Sequence, residues 1–464
     1  MQQNDRTKLP LMHFVWPILF ENLLRISLTS VDILMLSAYS PKAVAAVGLV
    51  QQFAFFIQIL YLMVTIGASV LIAQSLGAGL RREAGLAGVG SVVLALGLAL
   101  LLSGLTVALA EPILCLYRLE AEVHGFARQF LVIYGGGSVF MAINMAQGSI
   151  LRAWGYPRDP MVVNIAANLI NGLGGALCLF GWFGLPVLGV PGVACATVFS
   201  QLGACLILGQ RLKRRREVDL PLREIGRVPS ATYRGILAVG IPTAGENLSY
   251  NIGQILIMNL IARMGTASMS AYVYAITLLR FVFIPALSIG MGAQIKVGYF
   301  AGAGLQDEAY PRVLRYALVG FGISLGLVCL LVLARPVLLP FFTHDPQVLG
   351  LLGSILLVSL VHEPGRSLDL IIIPELKGAG DVRFPVAVGV LFLWGVGVGL
   401  SYGLGLSLGL GILGVWIALA LDEWVRGLIM LARWRSGAWK TKALIRRPPP
   451  PNLLAPEEEK HGPD

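Results

Sequence analysis

Charge is scarce in this sequence. Only 13% of its 464 residues are Asp, Glu, Lys or Arg, where soluble domains carry about 25%. With 56% hydrophobic residues beside that shortage, a string of soluble domains is excluded, because such domains need polar faces this chain cannot furnish. Cysteine and histidine are equally thin. Cys115, Cys178, Cys195, Cys205 and Cys329 lie in or beside apolar runs without a C-x-x-C pair, so they read as packing residues and neither a disulfide framework nor a metal centre is expected. His13, His124, His344, His362 and His461 are scattered and form no H-E-x-x-H, which leaves an intramembrane enzyme without a catalytic constellation. The chain is expected not to be an enzyme. The first apolar run passes Pro17, Glu21, Arg25 and Asp32 without an A-x-A site, so no cleaved leader is expected.

What the chain has in abundance is long apolar runs. Crossing a bilayer takes roughly 20 apolar residues, and the runs between polar breaks give spans near 13–37, 46–74, 87–111, 130–151, 161–181 and 188–210. Six more follow near 236–262, 271–295, 317–334, 348–375, 386–401 and 409–432. The net charge of +10 does not point to nucleic acid, because basic residues sit in the short loops between spans and not on one face. Of the 35 Lys and Arg residues, 26 fall on the side of the N-terminus, the linker "QRLKRRREVDLPLREIGR" and the tail, and five on the other. The positive-inside rule then places both termini in the cytoplasm of a multi-pass protein in the cell inner (plasma) membrane. The tail "RRPPPPNLLAPEEEKHGPD" reads as disordered by composition.

The chain also repeats itself. A shift of 225 residues carries Pro17 and Glu21-Asn22-Leu23 onto Pro242 and Glu246-Asn247-Leu248. The same shift carries Gly67 onto Gly292, Gly77 onto Gly302, and Arg152, Gly155 and Pro160 onto Lys377, Gly380 and Pro385. Each half holds an even number of spans, so the halves insert in the same orientation, related by an axis along the membrane normal. The expected fold is all-α and integral to the membrane, with twelve transmembrane helices in two six-helix lobes. The expected division is an N-lobe over 1–210, a basic linker over 211–235, a C-lobe over 236–432 and a tail over 433–464. Two such lobes around a cleft suit alternating access.

An ionisable group inside a span costs roughly 2.5 to 3.5 kcal/mol on insertion scales and is a functional candidate by default. Glu21 and Arg25 are spaced i, i+4 and could neutralise each other. Asp32 has only Leu28 and Leu36 as nearest helical neighbours, so it needs a partner on another helix or a bound cation. Asn164, Asn168 and Asn171 form one stripe in the fifth span, able to bind Na⁺ or to act as interhelical glue. Glu246 is the repeat partner of Glu21. Glu363, Arg366 and Asp369 share a face in the tenth span, as substrate groups or as a salt-bridge ladder, and Pro364 and Pro374 should bend that helix. Asp422, Glu423 and Arg426 are expected near a membrane face and carry little weight.

The stretch "PILFENLLRISLTSVDILMLSAYSPKAVAAVGL", with Asp32 fifteen residues after Pro17, resembles the multidrug and toxic compound extrusion (MATE) family. So do "GASVLIAQSLGAG", "LRAWGYPRDP", "NLING", "LGVPGVACATVFS" and "LKGAGDVRFP", in order along nearly the whole chain. The resemblance implies export of small, cationic, amphipathic organic compounds in exchange for H⁺ or Na⁺. It implies a cation-coupling site of Asp32, Asn171 and Thr197, with Na⁺ at Asp32 as the one metal-ion option, and a bend at Pro17 as the hinge. No cofactor beyond the coupling ion is expected; the partners are the substrate and the lipid bilayer, and the chain is expected to act as a monomer. Where some members carry a second acid in helix five this chain has Gly175, and where sodium-coupled members carry an acid in helix seven it has Tyr250, one turn from Glu246. These departures favour H⁺. The alternative is a flippase for lipid-linked or polysaccharide precursors, against which twelve spans argue.

Overall fold

The computed structural model describes residues 5–445 apart from 182, 183 and 185, and describes the backbone but not the side chains of 5, 27–33 and 222. Twelve long helices follow one another. Those of the first half are α1 (Met12–Tyr39), α2 (Pro41–Gly77), α3 (Arg81–Ala108), α4 (Ala121–Ala153), α5 (Arg158–Phe180) and α6 (Gly189–Arg214). Those of the second are α7 (Ser230–Ala262), α8 (Thr266–Ala303), α9 (Gln306–Leu338), α10 (Pro346–Gly378), α11 (Arg383–Ser407) and α12 (Gly411–Arg435). No strand occurs among the described residues. This is the expected two-times-six arrangement, in a multi-pass membrane protein.

Local chemistry sets the helix ends. Proline opens α2 and α10, where its missing N–H is not needed, and Asp345 caps α10 by accepting from the Gln347 amide at 2.8 Å. Glycines in the left-handed region close α5 (Gly181, φ 62°) and α8 (Gly304, φ 76°). Pro17, Pro242, Pro364 and Pro374 lie inside unbroken helices. The glycine-rich α11 widens into π-helical turns at Leu393–Val398 and Gly403–Ser407.

Among the described residues, nine of the twelve are long and apolar enough to cross a membrane by length and composition alone. The remaining three, α1, α7 and α12, are as long, and they carry Glu21 and Arg25, Glu246, and the Asp422–Glu423–Arg426 group.

The lobes are joined on the linker side and have separate cores on the other. Phe14 of α1 and residues of α2–α6 share one buried cluster with Ile236 of α7 and with Ile295 and Tyr299 of α8. Val15 joins α8, α9, α10 and α12, and Val70, Val239 and Val382 form a third cross-lobe contact. Towards the opposite end, Leu36, Val47, Leu131 and Val190 pack only within the first lobe, and Ile257, Leu279, Ile355 and Val415 only within the second. A cleft closed on the linker side is the resulting shape.

Two boundaries differ from expectation. The sixth helix continues to Arg214 and the seventh starts at Ser230, so the linker shrinks to 215–229; its stretch Leu222–Arg227 coils into a 3₁₀ helix. The tail begins as ordered chain: α12 runs to Arg435, a 3₁₀ turn covers Ala438–Thr441, and Trp439 stacks on Trp434 at 3.9 Å. The reason is apolar burial, since Trp434 and Trp439 are both within the core. The remainder of the tail, 446–464, lies outside the described residues.

Candidate functional site

Each lobe builds a polar centre on the same plan. In the N-lobe, Glu21 of α1 accepts from Asn164 of α5 at 2.8 Å and pairs with Arg152 at the end of α4 at 3.5 Å. In the C-lobe, Glu246 of α7 pairs with Lys377 at the end of α10 at 2.5 Å. Both acids and both bases are related by the 225-residue shift, and each pair is separated by 131 residues. The repeat is thus conserved as an ion pair and not only as sequence. Glu21 pairs not with Arg25, whose guanidinium donates to Asn22 at 2.9 Å, but with a base on the fourth helix of the lobe, in place of the i, i+4 neutralisation.

The asparagine stripe enters the same centre at two levels. Asn144 of α4 donates to Asn164 at 3.3 Å and to Gln201 of α6 at 2.7 Å, linking α4, α5 and α6. Farther from the linker, Thr197 of α6 donates to Asn171 at 3.0 Å. The structure therefore brings Asn171 and Thr197 together. Asn168 is half-buried between these two levels. Asp32 lies in the segment 27–33 of α1, whose side chains are outside the described residues.

The C-lobe adds a second, denser cluster. Arg426 of α12 reaches Asp369 of α10 at 2.8 Å, Asp422 at 3.1 Å and Glu423 at 2.9 Å. Arg366 approaches Glu363 at 3.6 Å and stacks over the Phe283 ring at 4.0 Å. His362 Nδ1 lies 3.1 Å from the same Glu363 oxygen, Oε1, and Tyr250 of α7 lies near Arg366 of α10 and Asp422, Glu423 and Arg426 of α12. Glu363, Asp369, Asp422, Glu423 and Arg426 are all buried. Glu363, Arg366 and Asp369 do share one region, as their spacing implied, yet Asp369 pairs across to α12 and not along its own helix.

Asp422, Glu423 and Arg426 are the residues the sequence reading undervalued. They lie in the lobe interior, not at a membrane face, because α12 extends from 411 to 435 and sets 422 at its middle. Their spacing, an acid three and an acid four residues before an arginine, was the available signal.

Four carboxylates face two guanidiniums here, and Glu363 Oε2, Asp369 Oδ1 and Asp422 Oδ1 are buried without a hydrogen-bond partner. The acids do not converge as a metal cage: among the described residues, the one trio of metal-type ligand atoms within 4.8 Å of one another is Glu111, Cys115 and His124, at the opposite surface. There Arg128 already pairs with Glu111 at 3.0 Å.

On the linker side, outside the spans, Asp159 takes a two-toothed contact from Arg215 at 2.9 and 3.0 Å. Tyr156 donates to Glu217 at 2.8 Å. That hydrogen bond, with Arg6 nearby, holds the Glu217 carboxyl below its usual range, while burial and the Glu217 charge push the Tyr156 hydroxyl up.

Comparison with known proteins agrees with this plan. The MatE family model matches residues 17–177 and 242–420, two segments whose starts are one repeat apart. An uncharacterized transporter of Bacillus subtilis, YisQ, is 34% identical over 94% of this chain and 95% of its own length. A probable multidrug resistance protein NorM of Thermotoga maritima is 27% identical over 94% of each. Among solved structures, a MATE protein in a bent conformation superposes with a TM-score of 0.87 at 20% identity, covering 95% of this chain and 98% of that one. An outward-facing multidrug resistance MATE transporter superposes at 0.84 with 21% identity, covering 92% and 94%.

Proposed function

We propose that this chain, which belongs to the MatE family of multidrug transporters, is a secondary antiporter that exports organic cations in exchange for H⁺ or Na⁺ by rocking its two lobes. The observation that supports coupling is the charge imbalance of the C-lobe: four buried carboxylates stand against Arg366 and Arg426, with three oxygens unpartnered. A buried charge without a partner is costly, so this centre has an affinity for positive charge that depends on what it holds. Protons fit better than Na⁺, because no three of these acids present oxygens close together and Na⁺ binding needs several convergent oxygens.

A carrier of this kind couples two gradients when the same lobe cannot hold driving ion and substrate equally well in both orientations. The chain's residues supply three parts of that. Glu21–Arg152 and Glu246–Lys377 are neutral pairs that tie the lobe helices together at matching places. Asn171 and Thr197, with Asp32 from α1, form the N-lobe cation centre that family resemblance assigns. Asp369, Asp422, Glu423 and Glu363 form the C-lobe centre. Both termini are assigned to the cytoplasm of the inner membrane by the 26-to-5 distribution of Lys and Arg, so a cleft closed on the linker side opens outward, the orientation for substrate release and cation uptake. The chain acts as a monomer, since one chain supplies both lobes.

The test is extrusion of a fluorescent organic cation from proteoliposomes carrying an imposed pH gradient or an imposed sodium gradient. A pH gradient alone should drive it. Extrusion that requires sodium would move the assignment to Na⁺, and none under either gradient would remove the antiport reading.

A further inference from the structure

The linker-side contact between the lobes contains a pair of hydrogen bonds that obey the repeat. Gln74 of α2 donates through Nε2 to Gly378 O at the end of α10, 2.9 Å away. Its counterpart 225 residues on, Tyr299 of α8, donates to Ala153 O at the end of α4, 2.5 Å away. Each helix-terminal carbonyl would otherwise be an orphan, and each bond runs from one lobe to the other. The backbones are close enough to require glycine: a Cβ on Gly302 would overlap Gln74 O, and one on Gly77 would overlap Tyr299 O. These two bonds close the gate on the linker side.

They are not chemically equivalent. A tyrosine hydroxyl has one proton and, once aimed at Ala153 O, needs no further direction. A glutamine amide has a donor end and an acceptor end, and reversing it turns an acceptor towards Gly378 O. Something must choose the orientation. The backbone amides of Leu444 and Ile445 both donate to Gln74 Oε1, at 2.8 and 3.1 Å, which leaves Nε2 for Gly378 O. Gln74 is fully buried, so no solvent competes for the role.

The segment that supplies those amides is built to reach. Trp439 anchors it in the C-lobe, stacked on Trp434 and donating to Trp434 O at 2.9 Å, and Lys440 pairs with Asp307 at 2.6 Å. It then crosses the turn after α10 so tightly that a Cβ on Gly380, at φ 99°, would overlap Lys442 O. Ile445 ends packed against the core that holds α2 and α3 of the N-lobe. The chain between Trp439 and Ile445 therefore spans from one lobe to the other.

We propose that residues 438–445 are a strap that stabilises the linker-side-closed state by fixing the orientation of Gln74, so that the C-terminal segment sets how readily the gate opens. The inference rests on the rocking-lobe reading. For the cleft to open on the linker side, Gln74 must leave Gly378 O and the strap must release one lobe. Losing the strap removes two hydrogen bonds found only in the closed state, and each bond is worth a factor of roughly two to ten in the equilibrium.

The experiment keeps the full chain and changes only the amides. Leu444→Pro with Ile445→Pro deletes both N–H donors, and Leu444→Ala with Ile445→Ala trims the same side chains while keeping them. Spin labels at exposed positions 213 and 315 on the linker side, and at 187 and 408 on the other, report the opening of each end by pulsed electron–electron distances. The proline variant should raise the ratio of linker-side-open to closed molecules about tenfold, while the alanine variant stays within about twofold of the unaltered strap. Gln74→Met, which is similar in size but cannot donate to Gly378 O, should open the gate with the strap intact. A proline variant that matches its alanine control in an otherwise switching protein refutes the strap. A protein with the natural strap that keeps one set of distances at every pH and sodium concentration refutes the rocking-lobe reading instead.

Discussion

Removing Arg426 should be the most damaging single change in the C-lobe. Its guanidinium touches Asp369 at 2.8 Å, Glu423 at 2.9 Å and Asp422 at 3.1 Å, all buried. In Arg426→Gln the three carboxylates lose their shared cation, and only Arg366, itself engaged with Glu363, remains nearby. Breaking a buried ion pair by deleting one partner costs about 3–5 kcal/mol, a large part of the roughly 5–15 kcal/mol that holds a protein folded. The expected result in detergent is a fall of several degrees in the apparent unfolding midpoint, compared at one scan rate because such unfolding is kinetically governed. Arg426→Lys should be intermediate, since one ammonium cannot serve three acids in fork geometry. The decisive variant is the double Asp369→Asn with Arg426→Gln, which removes one negative charge with the positive one. It should recover about 2 kcal/mol of coupling relative to the sum of the single changes. Additive single effects, or an Arg426→Gln protein as stable as the unaltered one, would refute the charge-balance argument.

Three further outcomes follow from the rest of the molecule. Lys377→Met should weaken the C-lobe as Arg152→Met weakens the N-lobe, because both strand a symmetry-related glutamate; thermal midpoints of the two variants that differ in sign would contradict the shared plan. Reporters fused after Arg216 and within the loop at His344 should read opposite sides of the membrane, the first cytoplasmic; the same side for both would break the twelve-span topology. The Glu217 contact with Tyr156 and Arg6 depresses a carboxyl, so its stabilising contribution is present above the ordinary carboxylate range and lost as pH falls through the depressed value. Glu217→Gln should therefore lower stability at neutral pH, where that contribution is present, and leave the low-pH end little changed, so that the difference between the two proteins disappears as pH falls.

Much of this architecture could be read from the chain before folding. The shift that carries Glu21 onto Glu246 and Arg152 onto Lys377 already held the two ion pairs, since each acid lies 131 residues before its base. Local spacing pointed instead to Arg25, because i, i+4 arguments see one helix and the true partner is brought in by lobe packing. Asp422, Glu423 and Arg426 were discounted as end-of-chain charges, although the middle of a 25-residue helix is where they sit. The orientation of Gln74 was not legible at all. It depends on two backbone amides 370 and 371 residues away, which no periodicity reports.

The central claim is that buried carboxylates couple a cation gradient to export. It is tested most directly by extrusion of an organic cation from proteoliposomes under an imposed pH gradient, comparing the unaltered protein with Asp32→Asn and Asp369→Asn. Each substitution keeps the side chain's size while removing its titration. The account predicts that both variants insert and fold, still bind substrate, and lose gradient-driven extrusion, with Glu21→Gln milder because Arg152 and Asn164 keep that site structured. Extrusion by both variants at the unaltered rate, with unaltered dependence on the gradient, would contradict it.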